Sequence, residues 1–166
     1  MSRSRTEIPF FSLHFKFNCM KKLFSLFFAI LISAVAFSQA RGLRVENQTN
    51  CVQYYQIFGD ELCICGNKYV SALIAINPGN VHNYNTSIPL GGTYPATASK
   101  SIVGARIPTG PAQCQVTGGT IGEPPCGLPL IFTYMAIDQD CRNCAQTTAR
   151  WFPVTGCGMA RLVFTP

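Results

Sequence analysis

The sequence predicts an all-β fold, an antiparallel Greek-key-like β-sandwich or partly open barrel of about seven or eight strands. We expect disulfides to hold it together and a hydrophobic signal helix to precede it. Short apolar runs recur about every dozen residues, with Gly, Pro and Asn between them. No run after residue 40 keeps a helical apolar period. These two observations predict strands rather than alternating helix and strand.

The runs that predict strands are residues 42–48, 52–58, 69–76, 101–107, 113–117, 130–137, 149–154 and 159–165. The run 69–76 is apolar on both faces, as in a central strand. It stops at the turn signal Asn77-Pro78-Gly79. Gly118-Gly119 indicates a hairpin turn after residues 113–117. Residues 91–111 carry the weakest pattern, and we expect a long loop there.

The N-terminal part has the pattern of a secretory signal peptide. Lys21 and Lys22 precede the uncharged apolar stretch 23–37, and the small-residue pattern Ala36-Phe37-Ser38 follows. We therefore expect residues 1–40 to be an extension plus signal peptide, with translation starting at Met20. Cleavage would fall after Ser38 or after Ala40. Residues 41–166 would form one secreted β-domain.

The short Lys-Lys leader indicates a bacterial protein that is secreted, extracellular or periplasmic. The apolar stretch is shorter than the about 20 residues that a membrane span needs. We therefore expect membrane contact only through an uncleaved signal segment.

The basic charge belongs mostly to the predicted leader. The whole chain has a formal charge of +6 from 13 Lys and Arg against 7 Asp and Glu. The leader holds five of those cations and one acid, which leaves 8 against 6, or +2, after residue 40. A nucleic-acid-binding protein would carry a dense basic face, so no such partner is expected.

Cysteine usage indicates disulfides. Of nine cysteines, Cys19 lies in the leader, and the remaining eight form an even set: Cys51, Cys63, Cys65, Cys114, Cys126, Cys141, Cys144 and Cys157. In a strand Cys63 and Cys65 would point to the same face, and a bridge between them would be strained, so we expect two different partners. Cys141 and Cys144 would pair together or clamp their turn to two strands. The alternatives are a zinc site of these four thiols, or a redox pair at Cys141 and Cys144. Export favours disulfides, and no cofactor is expected.

Trp151, Tyr54 and Tyr55 are the candidate ligand-binding residues. On an exposed sheet they would form a platform for sugar rings or anchors for a protein. Core packing is the alternative, because tryptophan is heavily buried on average. Tyr54 and Tyr55 point to opposite faces of one strand, so one of them is expected to be exposed.

No residue pattern indicates catalysis. His82 is the sole histidine after the leader and follows a turn in a polar stretch, as a surface loop residue would. No Gly-x-Ser-x-Gly motif is present. Asp138-Gln139-Asp140 indicates a polar turn, or else a loose calcium site. Asn47-Gln48-Thr49 and Asn85-Thr86-Ser87 match a glycosylation acceptor.

The segment Val45-Glu46-Asn47-Gln48-Thr49-Asn50-Cys51 in a cysteine-rich β-protein resembles the start of thaumatin-like proteins. The resemblance covers about a dozen residues of a chain that is short and cysteine-poor for that family, and no function is carried over. We expect a secreted or cell-surface, non-catalytic binding or adhesion module whose partner is a glycan or a protein. The alternatives are a small secreted hydrolase with a loop-assembled site, and a secreted inhibitor or toxin-like effector.

Overall fold

The computed structural model describes residues 40–62, 64–154 and 158–166. The predicted signal helix, Cys63 and Cys157 lie outside the described residues. The described strands are β1 (Gly42–Asn47), β2 (Gln53–Gly59), β3 (Tyr69–Val70), β4 (Ile74–Ile76), β5 (Val81–Tyr84), β6 (Gly104–Pro108), β7 (Gly118–Gly122), β8 (Ile131–Ile137), β9 (Asn143–Phe152) and β10 (Met159–Thr165). Short 3-10 turns are the helical elements of this part of the chain, which confirms the predicted all-β class.

The strands form two sheets that share one core. The first sheet has the order β5-β1-β10-β9-β8, and the second has the order β3-β2-β6-β7, with β4 also paired to β2. Alternate side chains of both sheets point inward, since successive residues of a strand face opposite ways. Leu43, Trp151 and Phe164 of the first sheet join Ile57 and Ile107 of the second in one buried cluster. The arrangement is that of a β-sandwich.

The first sheet is mixed, whereas the sequence predicted antiparallel strands throughout. β1 runs parallel to β10, with Leu43 opposite Ala160 and Val45 opposite Leu162. Parallel neighbours cannot be joined by a tight turn, so this pair links the two ends of the domain. Such a long-range pair leaves no turn signal in the sequence, which is why the local pattern did not reveal it.

The run 69–76 forms two short strands on one side of β2 rather than one central strand. The ladder breaks after Val70 and resumes at Ile74. In the gap, Ser71 Oγ accepts a hydrogen bond from the backbone N–H of Ile57 at 2.9 Å. The serine hydroxyl thus replaces a ladder contact and allows the strand to be interrupted.

Gly118 and Gly119 lie inside β7 and do not form the predicted hairpin turn. A Cβ on Gly119 would sit 2.5 Å from the Phe132 ring, and one on Gly118 would sit 2.4 Å from the carbonyl oxygen of Ile107. The glycines are therefore needed for close packing. By contrast, the predicted turn at Asn77-Pro78-Gly79 is confirmed, with Gly79 at φ 74° and the N–H of Asn80 bonded to the carbonyl of Asn77.

A buried amide fixes the segment between β1 and β2. Asn47 Nδ2 donates to the carbonyl oxygens of Cys51 and Ile76, at 2.8 and 2.9 Å. Asn47 Oδ1 accepts from the backbone N–H and the hydroxyl of Thr49. The Asn47 side chain is buried and fully bonded, so it is not an accessible glycosylation site in the folded domain.

Among the described cysteines, three disulfides join segments that are distant in sequence. They are Cys51–Cys144, Cys65–Cys126 and Cys114–Cys141. Cys141 and Cys144 clamp their turn to two other segments, as one of the two sequence alternatives expected. This pairing is incompatible with both the zinc site and the redox pair. Such bridges are consistent with an oxidising environment.

Removing the Cys51–Cys144 bridge should destabilise the domain without changing its fold. The bridge closes a loop of 93 residues, and its loss should lower the free energy of unfolding by about 2–5 kcal/mol. Urea denaturation of the double variant Cys51→Ala, Cys144→Ala measures this loss. An unchanged midpoint and slope would show that the bridge does not restrict the unfolded chain.

Candidate functional site

The three predicted ligand-binding aromatics all lie in the interior. Trp151 is 1% exposed, Tyr54 7% and Tyr55 0%. The Trp151 indole Nε1 donates to Glu123 Oε1 at 3.0 Å, which satisfies its polar atom inside the core. The expectation that either Tyr54 or Tyr55 would be exposed is wrong, because both side chains are buried although they point to opposite faces of β2. These residues offer no surface platform, and the core alternative is confirmed for Trp151.

His82 lies in β5 and not in a loop. Its Nδ1 is 2.8 Å from the Tyr55 hydroxyl oxygen, which is also 3.0 Å from the Tyr84 hydroxyl oxygen. Burial raises the pKa of Tyr55 and lowers the pKa of His82. A neutral imidazole held by a buried phenol is a packing arrangement. The Nδ1 atom of His82 thus faces the Tyr55 hydroxyl and not a serine or cysteine side chain.

Asp138 organises a polar turn between β8 and β9, as predicted. Its Oδ1 accepts hydrogen bonds from the backbone N–H groups of Asp140 and Arg142, both at 2.9 Å. This carboxylate oxygen is therefore occupied by the turn. Among the described residues, no cluster of three or more His, Cys, Asp or Glu side chains could hold a metal ion.

A groove on the outer face of the second sheet is the strongest candidate site. Its volume is about 440 Å³, within the about 300–1,000 Å³ of small-molecule sites. Gln56, Arg106 and Thr120 lie side by side on three neighbouring strands, since Gln56 is opposite Arg106 and Arg106 is opposite Thr120. These three side chains line the floor of the groove.

The walls of the groove come from outside the sheet. Leu73 lines one part, and residues of the loop 109–117 between β6 and β7, including Ala112, Gln115 and Val116, line another. The Cys114–Cys141 disulfide attaches this loop to the β8–β9 turn. The carbonyl oxygen of Thr109 also accepts the backbone N–H of Ile137 at 2.7 Å. A disulfide and a hydrogen bond therefore attach this wall to the sandwich.

Arg106 gives the groove its charge. Its guanidinium carbon lies 5.9 Å from the centre of the Phe58 ring, a cation–π arrangement. Among the described residues, no carboxylate forms an ion pair with it, and none lines the groove. The groove is thus positively charged, and its other polar side chains are neutral amides and hydroxyls.

The outer face of the first sheet is a second exposed surface, of different character. Arg44 and Arg161 on this face both form ion pairs with Glu46, each at 2.7 Å. The Arg161 bond contributes most to lowering the pKa of Glu46. Exposed apolar side chains accompany these ions: Val81, Ile131, Met135, Phe152 and Met159. Its arginines Arg44 and Arg161 are already paired, unlike Arg106 in the groove, so this face is the weaker candidate.

Comparisons with known proteins find no matching family model, no matching curated protein and no matching solved structure. The resemblance over Val45–Cys51 to thaumatin-like proteins gains no support from them. No helix among the described residues has the length and apolar character to cross a membrane.

Two glutamates should respond to pH in opposite directions. Burial raises the pKa of Glu123, so ionising it costs stability. This cost is absent below its ordinary pKa of 4.5 and grows as pH rises through that value. Bonds from Lys100, Tyr69 and Lys68 lower the pKa of Glu61 to about 2. Its stabilisation is present above pH 4.5 and is lost as pH falls toward 2.

The matched variants Glu123→Gln and Glu61→Gln test this difference. Relative to the parent, Glu123→Gln should gain stability as pH rises above 4.5, because glutamine cannot ionise. Glu61→Gln should lose stability relative to the parent as pH rises from about 2 to 5. Chemical denaturation across this pH range measures both trends. Trends of the same sign would contradict the assigned environments.

Proposed function

We propose that this protein is an exported, non-catalytic β-sandwich module that binds an extracellular glycan in the groove over Gln56, Arg106 and Thr120. The observation that supports it most directly is the cavity of about 440 Å³ built on paired strands, which hold side chains more rigidly than loops. Amide, hydroxyl and guanidinium groups line it together with aliphatic carbons, which matches the mixed surface of a sugar.

A walled groove favours a glycan over a protein partner. A stable protein interface covers about 800 Å² on each partner, and a flat protein surface could not reach the floor of the groove past its walls. The broad apolar face of the first sheet would suit a protein better, but its arginines Arg44 and Arg161 are already paired to Glu46. Of the two partner classes predicted from the sequence, the groove therefore supports the glycan.

We propose a non-catalytic role because the lining of the groove lacks the groups that hydrolysis uses. Its lining residues include no His, Cys, Asp or Glu, whereas glycosidases use a pair of carboxyl groups. The partly buried His82 bonds through Nδ1 to the Tyr55 hydroxyl. No observation among the described residues favours the hydrolase or the inhibitor alternatives.

Export is proposed from the signal pattern of the sequence and the three disulfides. Ala40 is buried, and its carbonyl oxygen accepts the backbone N–H of Ile102 at 2.9 Å. Cleavage after Ala40 would leave Ala40 on the signal peptide and so remove it from the core of the mature domain. We therefore propose cleavage after Ser38, with Gln39 as the new N-terminus in the periplasm or outside the cell.

Filling the groove should abolish binding. Thr120 is exposed on β7, and the variant Thr120→Tyr places a ring over the floor without burying a polar group. Thr133→Tyr is the matched control, since Thr133 is an exposed strand residue on the outer face of the other sheet. Glycan-array signal should disappear in Thr120→Tyr and persist in Thr133→Tyr, with both variants keeping the parent's melting temperature.

Two results would reject this site. One is glycan binding that survives Thr120→Tyr and is lost in Thr133→Tyr, which would place the ligand on the first sheet. The other is an array on which no glycan binds the oxidised protein above background.

A further inference from the structure

We infer that the glycan carries carboxylate groups and that Arg106 binds one of them. This inference rests on the proposed function and narrows it to uronic-acid-bearing sugars. It starts from the charge of the groove, because Arg106 is a cation with no carboxylate in ion-pair contact among the described residues. By contrast, Arg44 and Arg161 each form an ion pair with Glu46.

The position of Arg106 suits bidentate recognition. It projects from the strand β6, which has β2 on one side and β7 on the other, so it lies at the middle of the groove floor. Its guanidinium rests near the Phe58 ring, a contact that limits how freely the side chain moves. A planar guanidinium held this way presents two parallel N–H donors, the geometry that a carboxylate accepts.

The residues beside Arg106 can form hydrogen bonds with the hydroxyl groups of the same sugar. Gln56 Nε2 donates to the carbonyl oxygen of Ser71 at 2.9 Å, which fixes the amide and leaves its Oε1 as an acceptor. Thr120 stands on the opposite side of Arg106 in the strand register, and its hydroxyl can both donate and accept. An acceptor, a charged fork and a hydroxyl thus lie in one row.

The groove also lacks what a neutral sugar would use. No aromatic residue is among those that line it, and the aromatics predicted for this purpose are buried. Stacking of sugar rings on aromatic faces is therefore not available in the groove. The charge-assisted bond to Arg106 becomes the largest attractive contribution that its lining can supply.

The test compares acidic sugars with their esters. The probes are short oligomers of galacturonate, mannuronate and glucuronate, each beside its own methyl ester, which keeps the sugar ring and removes the charge. Calorimetric titration into the oxidised protein should show binding to at least one acid and about tenfold to hundredfold weaker binding to its ester. Added NaCl should weaken binding to the acid, since exposed charges are screened within about 10 Å at 0.1 M salt.

Variants assign the charge to Arg106. Arg106→Gln should weaken binding to the acid by about tenfold or more and leave binding to the ester unchanged. Arg106→Lys keeps the charge without the fork and should fall between the parent and Arg106→Gln. Arg150→Gln is the matched control, because Arg150 is an exposed arginine on β9 of the other sheet. It should bind like the parent.

The outcomes separate this inference from the proposed function. Equal binding of acid and ester, blocked by Thr120→Tyr, would overturn the carboxylate and leave the groove as a binding site for neutral glycans. Loss in Arg150→Gln rather than in Arg106→Gln would overturn the role of Arg106. Binding of a peptide through its C-terminal carboxylate, with no binding of any oligosaccharide, would overturn the glycan itself.

Discussion

The Cys114–Cys141 disulfide is the constraint on which the candidate site depends. The loop 109–117 contains one 3-10 turn and no strand, so the loop has little regular backbone structure of its own to hold its shape. Gln115 in this loop has a left-handed backbone with φ 51°, a conformation that costs a non-glycine residue about 1–3 kcal/mol. The bridge ties the loop to the β8–β9 turn, and it thereby fixes one wall of the groove relative to its floor.

The two other bridges of the described residues also attach segments that lie outside the strands. Cys65 lies between β2 and β3, outside any strand, and its bond to Cys126 holds it beside the second sheet. Cys51 precedes β2 and is joined to Cys144 at the start of β9. The buried hydrogen bonds of Asn47 and Thr49 fix the same segment from within. Packing of the sheets and cross-linking of the loops therefore stabilise different parts of the domain.

Local sequence patterns predicted the elements whose signals are local. The alternation of residues 159–165 matches β10, and the Pro-Gly pair after Asn77 forms the predicted turn. The parallel pairing of β1 with β10 was missed because it joins residues more than a hundred positions apart. Gly118-Gly119 was misread because a glycine pair that permits close packing looks the same in sequence as one that permits a turn.

The candidate site was harder to predict than the fold. Gln56, Arg106 and Thr120 are unremarkable in sequence and become neighbours only through the registers of β2, β6 and β7. The alternation of residues 101–107 could have placed Arg106 on an outer face, but not opposite Gln56. The conspicuous aromatics, Trp151 and Tyr55, belong to the core. The apolar character of Trp151 correctly predicted its burial, whereas the ability of these side chains to stack on sugar rings did not predict a binding site.

The most direct measurement of the account is disulfide mapping of the protein purified from an oxidising compartment. Proteolysis without reduction, followed by mass spectrometry, should recover cross-linked peptides containing Cys114 with Cys141, Cys65 with Cys126, and Cys51 with Cys144. It should find no alkylated thiol at these six positions. Free thiols at Cys114 and Cys141, or different partners for them, would contradict the arrangement that builds the groove.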